Sequence, residues 1–204
     1  MIVYPLIIAL LIISYWTIQI VRGNLPLLDN FFEQLLRDYV SSEPIFYFFR
    51  FVTELGSKTF LIPFVSLMAI VFFIIFRSMI PSVIFAGGTL LAHLINMLMK
   101  EIVQRERPLV WLEASAYGYS FPSGHAMISL VCYGLLAYFL SLKVKQRYKK
   151  QLLLTSFSLL IFFIGISRFV LNVHYMTDIV SGFVLGYLLL IGFIYIARHY
   201  VKTK

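Results

Sequence analysis

Residues 59–76, TFLIPFVSLMAIVFFIIF, and 78–99, SMIPSVIFAGGTLLAHLINMLM, are two uncharged runs separated only by Arg77. Each is close to or above the roughly 20 apolar residues that a helix needs to cross the hydrocarbon of a bilayer. Lipid offers the backbone no hydrogen-bond partner, so a spanning run of this kind satisfies its own N–H and C=O groups as a helix. Arg77 and Pro81 then mark a tight turn, and the pair reads as a transmembrane hairpin.

The rest of the chain repeats the pattern. Spans are expected at about 2–21, 59–76, 79–100, 122–142, 151–168 and 175–197, which makes an all-α, six-helix transmembrane bundle and one membrane domain over 1–204. The first run has no basic residue ahead of it and no small-residue cleavage site after it, so it reads as an uncleaved span, not a signal peptide. Charged residues make up only 13% of the chain against 61% hydrophobic ones, whereas a soluble domain carries about 25% charged. A net charge of +8 suits a nucleic-acid binder, but cations beside apolar spans more often mark the cytoplasmic face of a membrane protein. Nucleic acid is therefore not an expected partner. The single cysteine, Cys132, sits in an apolar run and reads as packing.

Between the first two spans, Leu27 to Val40 places apolar residues at 27, 28, 31, 32, 35, 36 and 39. That is a helical period in a segment too short and too charged to span. It is an amphipathic helix, either lying in the headgroup region with Phe31, Phe32, Leu35 and Leu36 toward the acyl chains or packed on its own bundle.

Six alternating spans put 22–57, 100–121 and 168–177 on one side of the membrane. Both termini, Arg77 and the basic hinge 143–150 fall on the other, with nine cations and no acid among them: Arg77, Lys143, Lys145, Arg147, Lys149, Lys150, Arg198, Lys202 and Lys204. Dense, unopposed cations favour the cytoplasmic side. The first set then faces away from the cytoplasm.

Three polar clusters fall on that first side. Lys100 with Arg107-Pro108 closes the third span, Pro122-Ser123-Gly124-His125 opens the fourth, and Ser167-Arg168 with His174 and Asp178 lies between the fifth and sixth. The residue types suit phosphoryl transfer. Asp178, four residues beyond His174, shares its face if the sixth helix starts before both, and then fixes the imidazole tautomer and leaves the other ring nitrogen free to attack. His174 is the expected nucleophile. Pro122 suits a first helical turn, after which Ser123 and Gly124 present unpaired N–H groups to an anion. His125 is placed to protonate a leaving alkoxide. Lys100, Arg107 and Arg168 would neutralise the phosphoryl oxygens. Thr89, His93, Asn96, Lys100 and Gln104 form a polar stripe on the third span, where His93 and Asn96 read as a structural network. Glu101, Arg105 and Glu106 receive no role. No cysteine–histidine or carboxylate cluster offers a metal site, so neither metal nor cofactor is expected.

The set Lys-x6-Arg-Pro, Pro-Ser-Gly-His and Ser-Arg-x5-His-x3-Asp, complete between 100 and 178, resembles the type 2 phosphatidic acid phosphatase superfamily. The six spans resemble its bacterial membrane branch, whose enzymes act on phosphatidylglycerol phosphate or undecaprenyl pyrophosphate. The resemblance implies a membrane lipid phosphatase with phosphate held by Lys100, Arg107, Ser123, Gly124 and Arg168, His125 as general acid, and His174 backed by Asp178 as nucleophile. The motifs contact only the phosphate, so phosphatidylglycerol phosphate, phosphatidic acid and polyprenyl pyrophosphate all remain open as substrates. The competing reading is a small transporter. Transporter sites sit near the midplane between interrupted helices, often in repeats, whereas here the ionisable residues sit at span ends and no repeat is visible.

Overall fold

The computed structural model describes residues 3–39, 43–108 and 118–200, without the side chains of 3, 35–39 and 43. The Leu35 and Leu36 side chains, Ile2, Val40, Lys202 and Lys204 therefore lie outside the described parts. Among the described residues there are eight helices and no strand: α1 (Val3–Val21), α2 (Leu27–Tyr39), α3 (Glu43–Glu54), α4 (Lys58–Phe76), α5 (Met79–Val103), α6 (Gly124–Ser141), α7 (Arg147–Val170) and α8 (Met176–Tyr200). Six of them, α1 and α4 to α8, are long and apolar enough to cross a membrane. The 19 residues of α4 rise about 28 Å, close to the roughly 30 Å of bilayer hydrocarbon.

The turn after α4 is made by Arg77, in the left-handed region at φ 50°, and by Ser78, whose hydroxyl caps the Ile80 N–H. Pro81 falls inside the first turn of α5, where its missing N–H costs nothing. The basic hinge is shorter than expected, because α7 begins at Arg147 and takes Lys149 and Lys150 into its first turn. Helix α3 has no counterpart in the sequence expectation. Glu43-Pro44 is a good helix start, and its Phe46 and Phe49 pack against Leu171 and Val173 in the loop after α7.

Helix α6 is the axis of the bundle: 67% of it is buried, against at most 28% of the apolar stretch of any other span. Between helices in lipid the drive to associate is close packing, and small residues permit it. Gly182 and Gly186 of α8 serve that purpose. A Cβ on Gly182 would come within 2.6 Å of the Ser123 carbonyl, and one on Gly186 within 2.8 Å of the Met127 carbonyl. The closeness of α8 to the start of α6 is what brings the His174–Asp178 segment onto the Pro-Ser-Gly-His segment. On the far side, Phe72, Phe85 and Phe139, each fully buried, lock α4, α5 and α6 together with ring centroids 5.2 Å apart in the Phe72–Phe85 and Phe72–Phe139 pairs. Helix α1 is peripheral, touching the bundle through Ile13 and Ile20 near Val103 and Phe121.

The amphipathic helix α2 is docked on the protein. Phe32 meets the Phe169 ring edge-on at 5.7 Å, while Phe31 and Leu27 remain exposed.

Candidate active site

The cationic residues and the two histidines converge at one end of the bundle, and local chain geometry explains how. Helix α7 ends in a turn with Asn172 in the left-handed region at φ 52°, a conformation that asparagine tolerates better than most residues. The Arg168 carbonyl then accepts both the Val173 and the His174 N–H, at 3.1 and 3.2 Å. The five-residue spacing between Arg168 and His174 is thus the length of a helix-terminating turn.

His174 precedes α8 by two residues, so the expected shared helical face is not what joins it to Asp178. Asp178 is the third residue of α8 and folds back to accept the Tyr175 N–H through Oδ2 at 3.0 Å, as in a capping box. The same oxygen lies 3.2 Å from His174 Nδ1. On the other side of the ring, Arg107 Nη1 lies 3.0 Å from Nε2. Guanidinium can only donate, so Nε2 accepts from it and Nδ1 carries the proton toward Asp178. This is the tautomer a nucleophilic Nε2 requires. His174 is 3% exposed. Burial, followed by the charges of Arg107, Arg168 and Lys100, holds its pKa well below the ordinary value of 6.5, so the ring is neutral at physiological pH.

The remaining expected phosphate ligands surround this ring. Arg107 also donates to the carbonyls of Gly118, Val173 and Tyr119 at 2.8, 2.7 and 3.2 Å. Lys100, in the last turn of α5, donates to the Tyr119 carbonyl as well. Arg168 is 8% exposed and gives Nη1 to Thr53 of α3 at 2.8 Å. Its Nε is buried with no partner among the described residues, and a buried guanidinium N–H left unpaired costs free energy until an acceptor arrives. Lys100, Arg107, Arg168 and His174 all lie close enough to His125 to act on it electrostatically.

The Pro-Ser-Gly-His segment differs from expectation in its register. Ser123 is the N-cap of α6, with Pro122 ahead of the helix and not in its first turn. The Ser123 N–H is occupied, donating to the Asp178 carbonyl at 2.9 Å. The Ser123 hydroxyl accepts the Ala126 N–H at 3.5 Å, which leaves Gly124 and His125 as the first-turn donors with no hydrogen bond shown among the described residues. Asn96 holds the segment in place, donating to the Pro122 carbonyl at 3.0 Å, and a Cβ on Gly124 would meet its Oδ1 at 2.8 Å. That is the structural role expected of Asn96.

Sequence reasoning missed Arg105, Asp29 and Thr177. Arg105 donates to Asp178 Oδ1 at 2.6 Å and to Asp29 Oδ2 at 2.7 Å, and its guanidinium lies 3.7 Å over the Tyr175 ring. Asp29, from α2, also accepts the Thr177 N–H at 2.8 Å and the Thr177 hydroxyl at 2.7 Å. The partners are 76 and 148 residues apart, beyond the reach of any local spacing rule.

Among the described residues, no group of three or more His, Cys, Asp or Glu is placed to hold a metal ion. Lys100, Arg105, Arg107 and Arg168 set against Asp29 and Asp178 leave a formal surplus of two positive charges at the site, suited to a phosphoryl group.

Known proteins share the sequence and the fold. Over 143 residues, 68% of this chain and 68% of the relative, the chain is 32% identical to phosphatidylglycerophosphatase B of Bacillus subtilis strain 168. Its fold superposes with a TM-score of 0.82 on the crystal structure of a transmembrane PAP2 type phosphatidylglycerolphosphate phosphatase from Bacillus subtilis, at 23% identity over 95% of this chain and 98% of that one. LpxE of Aquifex aeolicus shares the fold at a TM-score of 0.63 and 22% identity, over 84% of this chain and 96% of that one. Residues 81–202, which hold every one of the three motif clusters, match the PAP2 superfamily, and the chain belongs to that superfamily.

Proposed function

We propose that the chain, acting over its whole length as one membrane unit, is a lipid phosphatase that hydrolyses a phosphate monoester through a phosphohistidine intermediate, with phosphatidylglycerol phosphate as substrate and phosphatidylglycerol as product. The observation that carries the reading is the His174 ring, with Nδ1 held on Asp178 and its Nε2 lone pair turned toward Arg107. In the proposed reaction Arg107 transfers from Nε2 to a phosphoryl oxygen, and the unpaired Arg168 Nε and Lys100 take the others. Nε2 attacks phosphorus and the ester P–O bond breaks. The leaving alkoxide takes its proton from His125. Water then attacks the phosphohistidine, giving a proton to His125 as the P–N bond breaks, and inorganic phosphate leaves. Gly124 and His125 N–H groups at the start of α6 stabilise the oxyanion. The site opens on the face away from the cytoplasm, because the hinge and tail cations crowd the opposite side.

The relative named for phosphatidylglycerophosphatase activity favours this substrate. The second reading, an undecaprenyl pyrophosphate or broad-range lipid phosphatase, keeps the same chemistry and differs only in the tail. Phosphate release from phosphatidylglycerol phosphate, phosphatidic acid and undecaprenyl pyrophosphate, measured side by side with EDTA present, tests both. The expected outcome is highest turnover on the first and a loss of at least ~10⁴-fold in His174→Ala. Near-normal turnover in His174→Ala, or strict dependence on added Mg²⁺, would overturn the mechanism.

A further inference from the structure

Asp29 has no place in the phosphoryl-transfer steps, yet it is 1% exposed and the described hydrogen bonds of its carboxylate all go to Arg105 and Thr177, beside the catalytic pair. Burying a carboxylate costs several kcal/mol unless it is well paired. Asp178 already supplies Arg105 with one counter-charge at 2.6 Å, so neutralising Arg105 does not by itself call for a second acid. What Asp29 adds is direction. Its Oδ2 holds Arg105 Nη2, which leaves Nη1 facing Thr177 Oγ1 at 2.9 Å and Asp178 Oδ1. Its Oδ1 takes the Thr177 N–H, a first-turn donor of α8 that the helix cannot satisfy internally. With Oδ1 of Asp178 claimed by Arg105, Oδ2 is left to the Tyr175 N–H and His174 Nδ1.

Resting on the phosphatase reading above, we propose that Asp29 is a positioning residue. Through Arg105 and Thr177 it fixes the carboxylate plane of Asp178, and so the aim of His174 Nε2, which makes turnover depend on how the amphipathic helix α2 is seated. Helix α2 carries Leu27 and Phe31 exposed on its other side, so a helix with an open apolar face is bonded to the catalytic pair through a chain of buried ion pairs.

The test is kinetic and uses the full-length protein with a short, soluble phosphate ester, which removes lipid access from the measurement. Asp29→Asn keeps shape and loses charge. It should lower kcat by about 10- to 100-fold, the cost of a misaimed reacting group, with KM within about twofold. In an Asp178→Asn background the same change should alter the residual kcat by less than about twofold, because a residue acting through Asp178 has nothing left to act on. Thr177→Val removes the bridging hydroxyl while keeping the backbone contact. It answers the question by the same criteria if Asp29→Asn does not fold. Wild-type kcat in folded Asp29→Asn, or a loss that multiplies undiminished in the Asp178→Asn background, would leave the network a structural brace and overturn the proposal. Wild-type protein that releases phosphate from no ester would instead sink the phosphatase reading itself, so the two failures are distinguishable.

Discussion

In the proposed mechanism His174 attacks only while its ring is neutral, and its surroundings set the pH at which that holds. Burial and three neighbouring cations lower its pKa, so the neutral ring persists as pH falls through 6.5 and is lost only further down. The acid limb of kcat/KM for the free enzyme, corrected for the substrate's own ionisation near pH ~6, should lie below the ordinary histidine range. An acid limb centred at or above 6.5 would contradict the geometry. Pairings at this scale were legible where a motif combined residue types with obvious complementary chemistry, as in His174 and Asp178. They were illegible for Arg105, two positions before Arg107, and for Asp29, which falls among the polar residues of an amphipathic stretch. Periodicity reports that such a residue leaves the apolar face; it cannot report that the polar face meets a buried arginine.

At the scale of elements, the site exists because α8 approaches α6 closely enough for the Asp178 carbonyl to bond the Ser123 N–H at 2.9 Å. Gly182 permits that approach. Gly182→Ala places a methyl against backbone with no flexible neighbour to yield, so it should destabilise by about 1–3 kcal/mol, as overpacking does. Activity should fall further than stability, since the displaced atoms include both motif segments. Gly192→Ala, on the same helix with nothing within 4 Å of the added carbon, is the control and should match wild type in detergent thermal unfolding and phosphate release. Equal behaviour of the two variants would mean that α8 has slack at this crossing. The spans were readable from hydropathy because lipid imposes a length and forbids charge. Helix α3 was not, since 12 residues fall short of a span and its aromatics are spread around it, with Phe46 and Phe49 packed while Tyr47, Phe48 and Phe51 stay exposed.

Across the whole molecule, polarity is divided end from end. A cavity of about 800 Å³ lies between α6, α7 and α8, lined by Leu130, Tyr138, Leu154, Tyr187 and Leu190, with Lys150 and Arg198 at one end. By size it is in the range of ligand sites, but it occupies the half of the bundle away from His125 and His174 and is lined by no acid or base pair suited to hydrolysis. The proposed site lies at the opposite end, in the tight contact of α2, α5, α6 and α8. The same polarity predicts orientation. With Lys143, Lys145, Arg147, Lys149 and Lys150 unopposed by any acid, that end should face the cytoplasm. In a Cys132→Ala background, Lys145→Cys should react in intact cells only with a membrane-permeant thiol reagent, while Leu27→Cys, 85% exposed at the catalytic end, should react with an impermeant one. The reverse labelling pattern would put the active site on the cytoplasmic face. The proposed hydrolysis by His174 is independent of that outcome, because nothing in the transfer step depends on the side of the membrane from which the lipid phosphate arrives.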